Sequence, residues 1–256
     1  VSNVILGIPI WSDGLEALVA QSIRSIDARM RGARPYVFAC ANPHSLAVAE
    51  RDPEFKKALG SADAVVPDGV GVQLAASLSG RHLGPRITGS DYFKALMAEL
   101  DVCGGRVGFF GSKREVLERL VARVNAEYPG VRVIKAIAPP FGDWSEAADT
   151  AFVDELSSAE LDVLWVGMTA PKQEKWVHKN CERLSASVVG SIGAVFDYFA
   201  GTVKRAPHWV CEAGLEWAYR FAKEPARLWE RNFVSGPRFI GLAMGEVLAM
   251  RAQRHR

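Results

Sequence analysis

Apolar, strand-like runs alternate with amphipathic stretches along most of this chain. The runs fall at residues 3–8, 36–41, 64–66, 106–110, 131–136, 161–166 and 187–191. Between them, residues 15–31, 46–59, 90–100, 113–128 and 150–158 have an amphipathic, helical pattern. That alternation predicts βαβ units, hence an α/β fold with a mostly parallel sheet and helices on both faces. Beyond about Trp209 only helical patterns remain, at 209–223, 226–233 and 239–251, with breaks expected at Pro225 and at Ser235-Gly236-Pro237. The expected organisation is an α/β body over residues 1–208 and a helical appendage over 209–256.

One strand-to-helix passage carries unusual chemistry. The run LDVLWV (161–166) leads into GMTAPKQEKW (167–176), so a strand ends near Gly167 and a helix starts around Pro171. Proline suits a first helical position, where its missing N–H is not needed. Ligands of parallel sheets sit outside the carboxyl ends of the strands. Lys172 and Gln173 are therefore placed to meet one, although a solvated first turn would look the same.

Composition narrows the classes. The chain has 256 residues, about half of them hydrophobic, and a net charge of only +2, which gives no reason to expect a nucleic-acid partner. Charge is uneven, however. Residues 201–256 hold ten Lys or Arg against five Glu, a local +5 that leaves −3 for the rest. A basic end on a near-neutral body suits an anionic ligand or surface. The four cysteines are scattered without a CxxC pair, so neither a zinc site nor a disulfide framework is expected. The N-terminus does not read as a signal peptide. No window reaches the roughly 18 continuous apolar residues of a membrane span.

Polar loops, three of them with glycine, follow five of the strands: Asn42-Pro43-His44-Ser45, Pro67-Asp68-Gly69, Gly111-Ser112-Lys113, Thr169 through Glu174, and Gly193 through Asp197. Each has an ordinary explanation. Asn42 and Ser45 could cap a helix, Asp68-Gly69 is a common turn, and Asp197 could cap a helix or pair with a lysine. Gly111-Ser112 could be a tight turn, yet a helix start with small residues also binds phosphate. Together the loops would converge on one sheet edge. They would form a site with a carboxylate, amides, a lysine and backbone donors, suited to a diphosphate-bearing ligand and a single carboxylate base. No GxGxxG, GxxxxGK[ST] or GxSxG is present, which disfavours dinucleotide oxidoreductases, P-loop NTPases and α/β-hydrolases.

Six segments occur in an order that resembles a known family: ANPHS (41–45), ADAVVPDGVGV (62–72), RITGSD (86–91), GFFGS (108–112), VGMTAPKQEKW (166–176) and GAVFDYFAGTVKRAPHW (193–209). Together with GLEWAYRFAKEPARLW (214–229), they resemble the WecG/TagA/CpsF glycosyltransferases, glycosyltransferase family 26, from about Ile5 to Phe239. The resemblance implies a Rossmann-like catalytic domain and a C-terminal appendage linked to membrane association. It implies an inverting transfer, without metal or cofactor, from a UDP-sugar donor to a polyprenyl-diphosphate-linked glycan acceptor. The setting implied is peripheral, at the anionic-lipid surface of the cytoplasmic face of the inner membrane, in the synthesis of teichoic acid, capsule or exopolysaccharide.

Carried over by position, Asp68 matches the catalytic base, while Gln173 and Asn42 match substrate-contacting positions. Arg220 and Arg227 match arginines that close over the diphosphate. Arg86, Asp91, Gly111, Ser112, Lys172 and Asp197 complete the expected substrate-binding set. Three positions depart from the family pattern: Cys40 stands where several members have Thr, His208 replaces an Arg, and Glu230 replaces a basic residue. The rival reading is a non-catalytic, membrane-recruited partner of a polysaccharide assembly complex, which the presence of Asp68 disfavours. The alternative for the C-terminal helices is that they pack on the body as ordinary core or form a homo-oligomer interface.

Overall fold

The computed structural model describes residues 3–28, 33–204, 206–207, 210, 216–223 and 225–254. Six strands form one parallel sheet: β3 (Tyr36–Ala41), β4 (Ala64–Pro67), β5 (Arg106–Gly111), β6 (Arg132–Ile137), β7 (Leu161–Gly167) and β8 (Ala186–Ser191). Their spatial order is β4-β3-β8-β7-β5-β6, and every pairing is parallel. Successive residues of a strand point to opposite faces. Phe38, Val163, Trp165 and Val188 thus enter one core, while Ala39, Leu164, Val166 and Val189 enter the cores on the other side. Burial on both faces explains why β3, β4, β5, β7 and β8 read as continuous apolar runs, whereas the edge strand β6 alternates exposed and half-buried positions.

Helices cover both faces as expected. On one side lie α1 (Gly14–Asp27), α5 (Gly89–Cys103), α6 (Arg114–Glu127) and the short α9 (Val195–Phe199). On the other lie α2 (Pro43–Ala49), α3 (Pro53–Gly60), α4 (Val70–Leu78), α7 (Glu146–Ser157) and α8 (Lys172–Asn180).

Four local expectations are corrected. Residues 3–8 are not a strand of the sheet. They form part of a separate hairpin, β1 (Val4–Ile5) with β2 (Ile8–Pro9), because Leu6 and Gly7 turn the chain at φ 49° and 78°. The stretch 46–59 is two helices, since Pro53 cannot continue a helix and Asp52 caps a new one by accepting from Phe55 N at 3.0 Å. Pro171 precedes α8, at its N-cap, instead of opening it.

The last correction concerns the C-terminal helices, α10 (Glu216–Lys223), α11 (Pro225–Trp229) and α12 (Gly236–Arg254). No break occurs at residues 235–237, because a π-helical segment, Glu230–Ser235, runs straight into α12. Pro237 has no N–H for the bond to residue 233, and a local change of helical register accommodates such a gap.

The helix α12 is docked on the body. Phe239 and Ala243 join the core of α2, α3 and α4. Glu246 meets Arg81 at 3.1 Å and accepts from Leu6 N at 3.2 Å. His44 Nδ1 and Ser235 Oγ lie 2.9 Å apart. The expected 208/209 domain boundary falls on residues outside the described set.

Placement of α8, which carries the PKQE segment, depends on Asp149 of α7. Its Oδ1 accepts from Trp144 Nε1 (3.0 Å) and Trp176 Nε1 (2.7 Å), and its Oδ2 accepts from Lys179 Nζ (3.0 Å) and Asn180 Nδ2 (3.4 Å). Burial raises the pKa of this carboxyl, but the hydrogen bonds from Trp144, Lys179 and Trp176 outweigh it and hold the group below the usual carboxylate range. Its stabilising contribution is therefore present above the ordinary aspartate pKa and is lost as pH falls through the depressed one. Asp149→Ala would strand two indole donors and an amide. We expect it to cost about 3–5 kcal/mol in chemical denaturation, and Asp149→Asn to cost less; a loss under about 1 kcal/mol for the alanine variant would refute this role.

Candidate active site

A cleft of about 1620 Å³ opens at the carboxyl edge of the sheet. Asn42, Asp68, Ser112, Gln173 and Asp197 line it, one from each of the five polar loops that follow β3, β4, β5, β7 and β8. Its position, beside the point where the strand order reverses, is where parallel sheets place ligands.

Asp68 is held at the rim by its backbone and by two glycines. Its N–H donates to Ala41 O at 2.8 Å, so the chain stays tied to β3 for one residue past β4. Gly69 then adopts φ 111°, a conformation that L side chains rarely reach. A Cβ on Gly71 would lie 2.7 Å from Pro43 Cγ, so the two loops carrying Asn42 and Asp68 interlock through a glycine. Asn42 caps α2 in a reciprocal box: its Oδ1 accepts from Ser45 N (3.0 Å) and Ser45 Oγ accepts from Asn42 N (2.8 Å). Among the described residues, no donation from Asn42 Nδ2 accompanies this box, and Asn42 lines the cleft.

The edge shared by β5 and β7 is closed to side chains. Gly111 adopts φ 121°, and a Cβ there would come within 2.5 Å of Gly167 O. Ser112 follows at φ 60° and lines the cleft. Lys172 is engaged with its surroundings. Its Nζ donates to Gly142 O, lies 3.7 Å from the Trp144 ring centroid and sits 3.9 Å from Asp143. It thereby braces the 142–144 loop against the cleft. Asp197 Oδ1 accepts from Thr202 Oγ1 at 3.4 Å. Asp91 accepts from Thr88 N (3.0 Å) and Thr88 Oγ1 (2.7 Å), so its carboxylate serves the start of α5. Arg86, in the segment before that helix, is not among the described side chains of the cleft wall. The side chains of Arg220 and Arg227 fall outside the described residues.

Gln173 and Glu174, both buried, form the floor. Gln173 Oε1 accepts from Met168 N (3.3 Å) and Gly193 N (3.0 Å), the chain just beyond β7 and β8. Its Nε2 donates to Glu174 Oε1 at 2.8 Å. Burial pushes Glu174 up to about 7 against the lowering effect of that bond. Cys40 also lines the cleft, and burial followed by the charges of Asp68 and Glu174 raises its thiol well above the ordinary value.

Sequence reasoning did not single out Glu174 as a candidate residue. Lys223 and Arg231, two of the cations interleaved with aromatics after residue 209, bring the C-terminal helical segment to the cleft wall together with Tyr219. Lys113, Arg114 and Arg119 add positive charge from α6, so the cleft sets Asp68, with Glu115, Asp143, Glu174 and Asp197, among a larger number of cations. That arrangement can hold a polyanionic leaving group and withdraw a proton from a neutral nucleophile. No group of three or more His, Cys, Asp or Glu able to hold a metal occurs among the described residues.

Comparison with known proteins agrees with this geometry. The model for the glycosyl transferase WecG/TagA/CpsF family matches residues 4–253. The chain is similar to an N-acetylglucosaminyldiphosphoundecaprenol N-acetyl-beta-D-mannosaminyltransferase of Bacillus spizizenii, with 34% identity over 200 residues, covering 78% of this chain and 75% of that protein. A Bacillus subtilis enzyme of the same name is 31% identical over 195 residues, covering 76% and 74%. One from Staphylococcus aureus is 27% identical over 180 residues, covering 70% and 69%. With a parallel α/β sheet, a cleft at its carboxyl edge and a family match over nearly its whole length, the chain belongs to the WecG/TagA/CpsF family of glycosyltransferases.

Proposed function

We propose that this glycosyltransferase moves a sugar, with inversion, from a UDP-sugar to a saccharide carried on a polyprenyl diphosphate. The observation that carries the reading is the carboxylate of Asp68, held just past the end of β4 in a cleft that also gathers Lys113, Arg114, Arg119, Lys223 and Arg231. Asp68 takes the proton of the acceptor hydroxyl as that oxygen forms its bond to the anomeric carbon. The bond from that carbon to the UDP oxygen breaks on the opposite side, and its electron pair leaves on the diphosphate. Lys223 and Arg231, with Arg220 and Arg227 carried over from the family, stabilise that charge. Asn42 and Asp197 are proposed to contact sugar hydroxyls.

The relatives named above transfer N-acetylmannosamine onto N-acetylglucosaminyl-diphospho-undecaprenol. A donor and acceptor of that chemistry are the first to try here. The place of action proposed is the cytoplasmic face of the inner membrane. No helix among the described residues is long and apolar enough to cross a bilayer. Support comes from α12, which is apolar on two adjacent faces. Phe239, Ala243 and Val247 are buried at a four-residue spacing, while Ile240, Met244 and Leu248 are exposed at the same spacing. Trp217, Trp229 and Phe233, in the helical segment before α12, are also exposed, and Trp229 stacks on Phe233. Aromatic and basic residues around an apolar face favour an anionic lipid interface.

Three outcomes test this reading. Asp68→Asn keeps the shape but cannot accept the proton. UDP release in the presence of lipid-diphosphate acceptor should fall about a hundredfold or more, with UDP binding by calorimetry largely kept; turnover near that of the wild type would remove Asp68 from the role of base. Activity should persist in EDTA, because side-chain cations take the part a metal would play. Loss in EDTA with recovery on adding manganese or magnesium would overturn this account of the leaving group. Finally, Ile240→Asp with Leu248→Asp should abolish pelleting with anionic liposomes while leaving the thermal unfolding midpoint near its original value, since both side chains are exposed; undiminished pelleting would exclude this face as the membrane contact.

A further inference from the structure

The floor of the cleft contains a buried carboxyl group that the proposed transfer does not use. The two ends of the Gln173 amide are distinguished by their partners. Two backbone N–H groups, of Met168 and Gly193, converge on one end, which must be the oxygen. The amide nitrogen therefore faces Glu174, whose Oε1 accepts from it. The other oxygen of Glu174, Oε2, is buried and meets no hydrogen-bond donor among the described residues.

A carboxylate in this position would be an anion with one side-chain donor in a dry setting, which is costly. A carboxylic acid fits better. Its carbonyl oxygen accepts from Gln173, and its O–H has somewhere to point. Behind Glu174, toward α3, lies a small cavity of about 10 Å³, the space of about one water. Ser191 lines it too, and its Oγ is a second buried oxygen without a partner. Both residues also line the main cleft, so they form the wall between the two spaces. The ionisable groups around this wall are the Cys40 thiol and the Asp68 carboxylate on the cleft side, and Arg34, His178 and Cys181 on the far side. Arg34 is committed to Asp63, and His178 Nδ1 lies 2.8 Å from Ser61 Oγ. No cation is therefore paired with Glu174 among the described residues.

We propose that Glu174 is a positioning residue that works as a neutral acid, holding Gln173 as a brace across the ends of β7 and β8 and so fixing the floor of the transfer cleft. Its effect on turnover rests on the glycosyltransferase reading; its protonation state does not. The pKa of about 7, raised by burial from 4.5, is consistent with the geometry. The sign of the linkage follows: stability from the neutral acid is full below about pH 4.5 and is lost as pH rises through about 7.

The test compares Glu174→Gln with Glu174→Ala and has two arms. An amide reproduces the neutral acid, accepting at one end and donating at the other. In the substrate-free arm, the melting midpoint of the wild type should fall relative to Glu174→Gln as pH rises from about 5 to about 8. In the activity arm, Glu174→Gln should turn over at least about tenfold faster than Glu174→Ala, and the alkaline limb of its kcat/KM profile should lie about one pH unit above that of the wild type. If Glu174→Ala does not fold, Glu174→Asp replaces it, because the shorter chain cannot reach Gln173. Glu174→Gln as slow as Glu174→Ala at every pH would show that the ionised carboxylate is required and overturn the proposal. So would a midpoint difference that does not change with pH. Wild-type inactivity with every UDP-sugar, alongside the pH-dependent midpoint, would refute the glycosyltransferase reading while upholding the neutral acid.

Discussion

Parallel pairing is the constraint from which the rest of this molecule follows. Six strands that all run the same way must deliver all their carboxyl ends to one edge, and each connection must cross a face of the sheet before the next strand begins. The helices that make those crossings seal both faces. Polar chemistry is thereby confined to the short segments where a strand has ended and a helix has not yet begun. Asn42, Asp68, Ser112 and Gln173 come from widely separated parts of the chain and meet for this reason alone.

That confinement places heavy demands on backbone geometry. Within one or two residues of each strand the chain must leave the ladder, turn, and satisfy its own N–H groups. Gly69 and Gly111 manage this through positive φ, and Asn42 through a capping box. Gln173 does the same from a distance, receiving the N–H of Met168 and sharing that of Gly193 with Val166 O. A residue the family comparison would place beside substrate is therefore also a structural tie. Its substitution would affect shape and chemistry together.

The sheet was legible in the sequence because strands buried on both faces are runs of apolar residues with polar ends. The hairpin at Val4–Pro9 was not, since its apolar residues pack beneath α2 and α3 and give the same signal as a sheet strand. The helix α4 was hidden by its own start: PDGVG has the composition of a loop, yet Gly69 acts as an N-cap. The cleft was foreseen as a convergence of loops, but the duties of individual side chains were not. Asp91 serves the cap of α5, and Lys172 is stacked on Trp144. Glu174 carried no signal because a glutamate in a first helical turn is ordinary, and only the packing of β3, β8 and α3 around it removes it from water.

The two apolar stripes of α12 also bear on the behaviour of the purified protein. One stripe is buried against the body, and the other, Ile240, Met244 and Leu248, faces outward. The neighbouring α4 presents Val70, Leu74 and Leu78 at the same four-residue spacing, also exposed. Two such rows on adjacent helices are more than the scattered apolar residues that a monomer ordinarily shows to water. Without a lipid or detergent phase to cover them, copies of the chain would cover one another. Colloidal stability would then depend on concentration, and self-association in dilute buffer would report on the same surface that a bilayer would otherwise occupy.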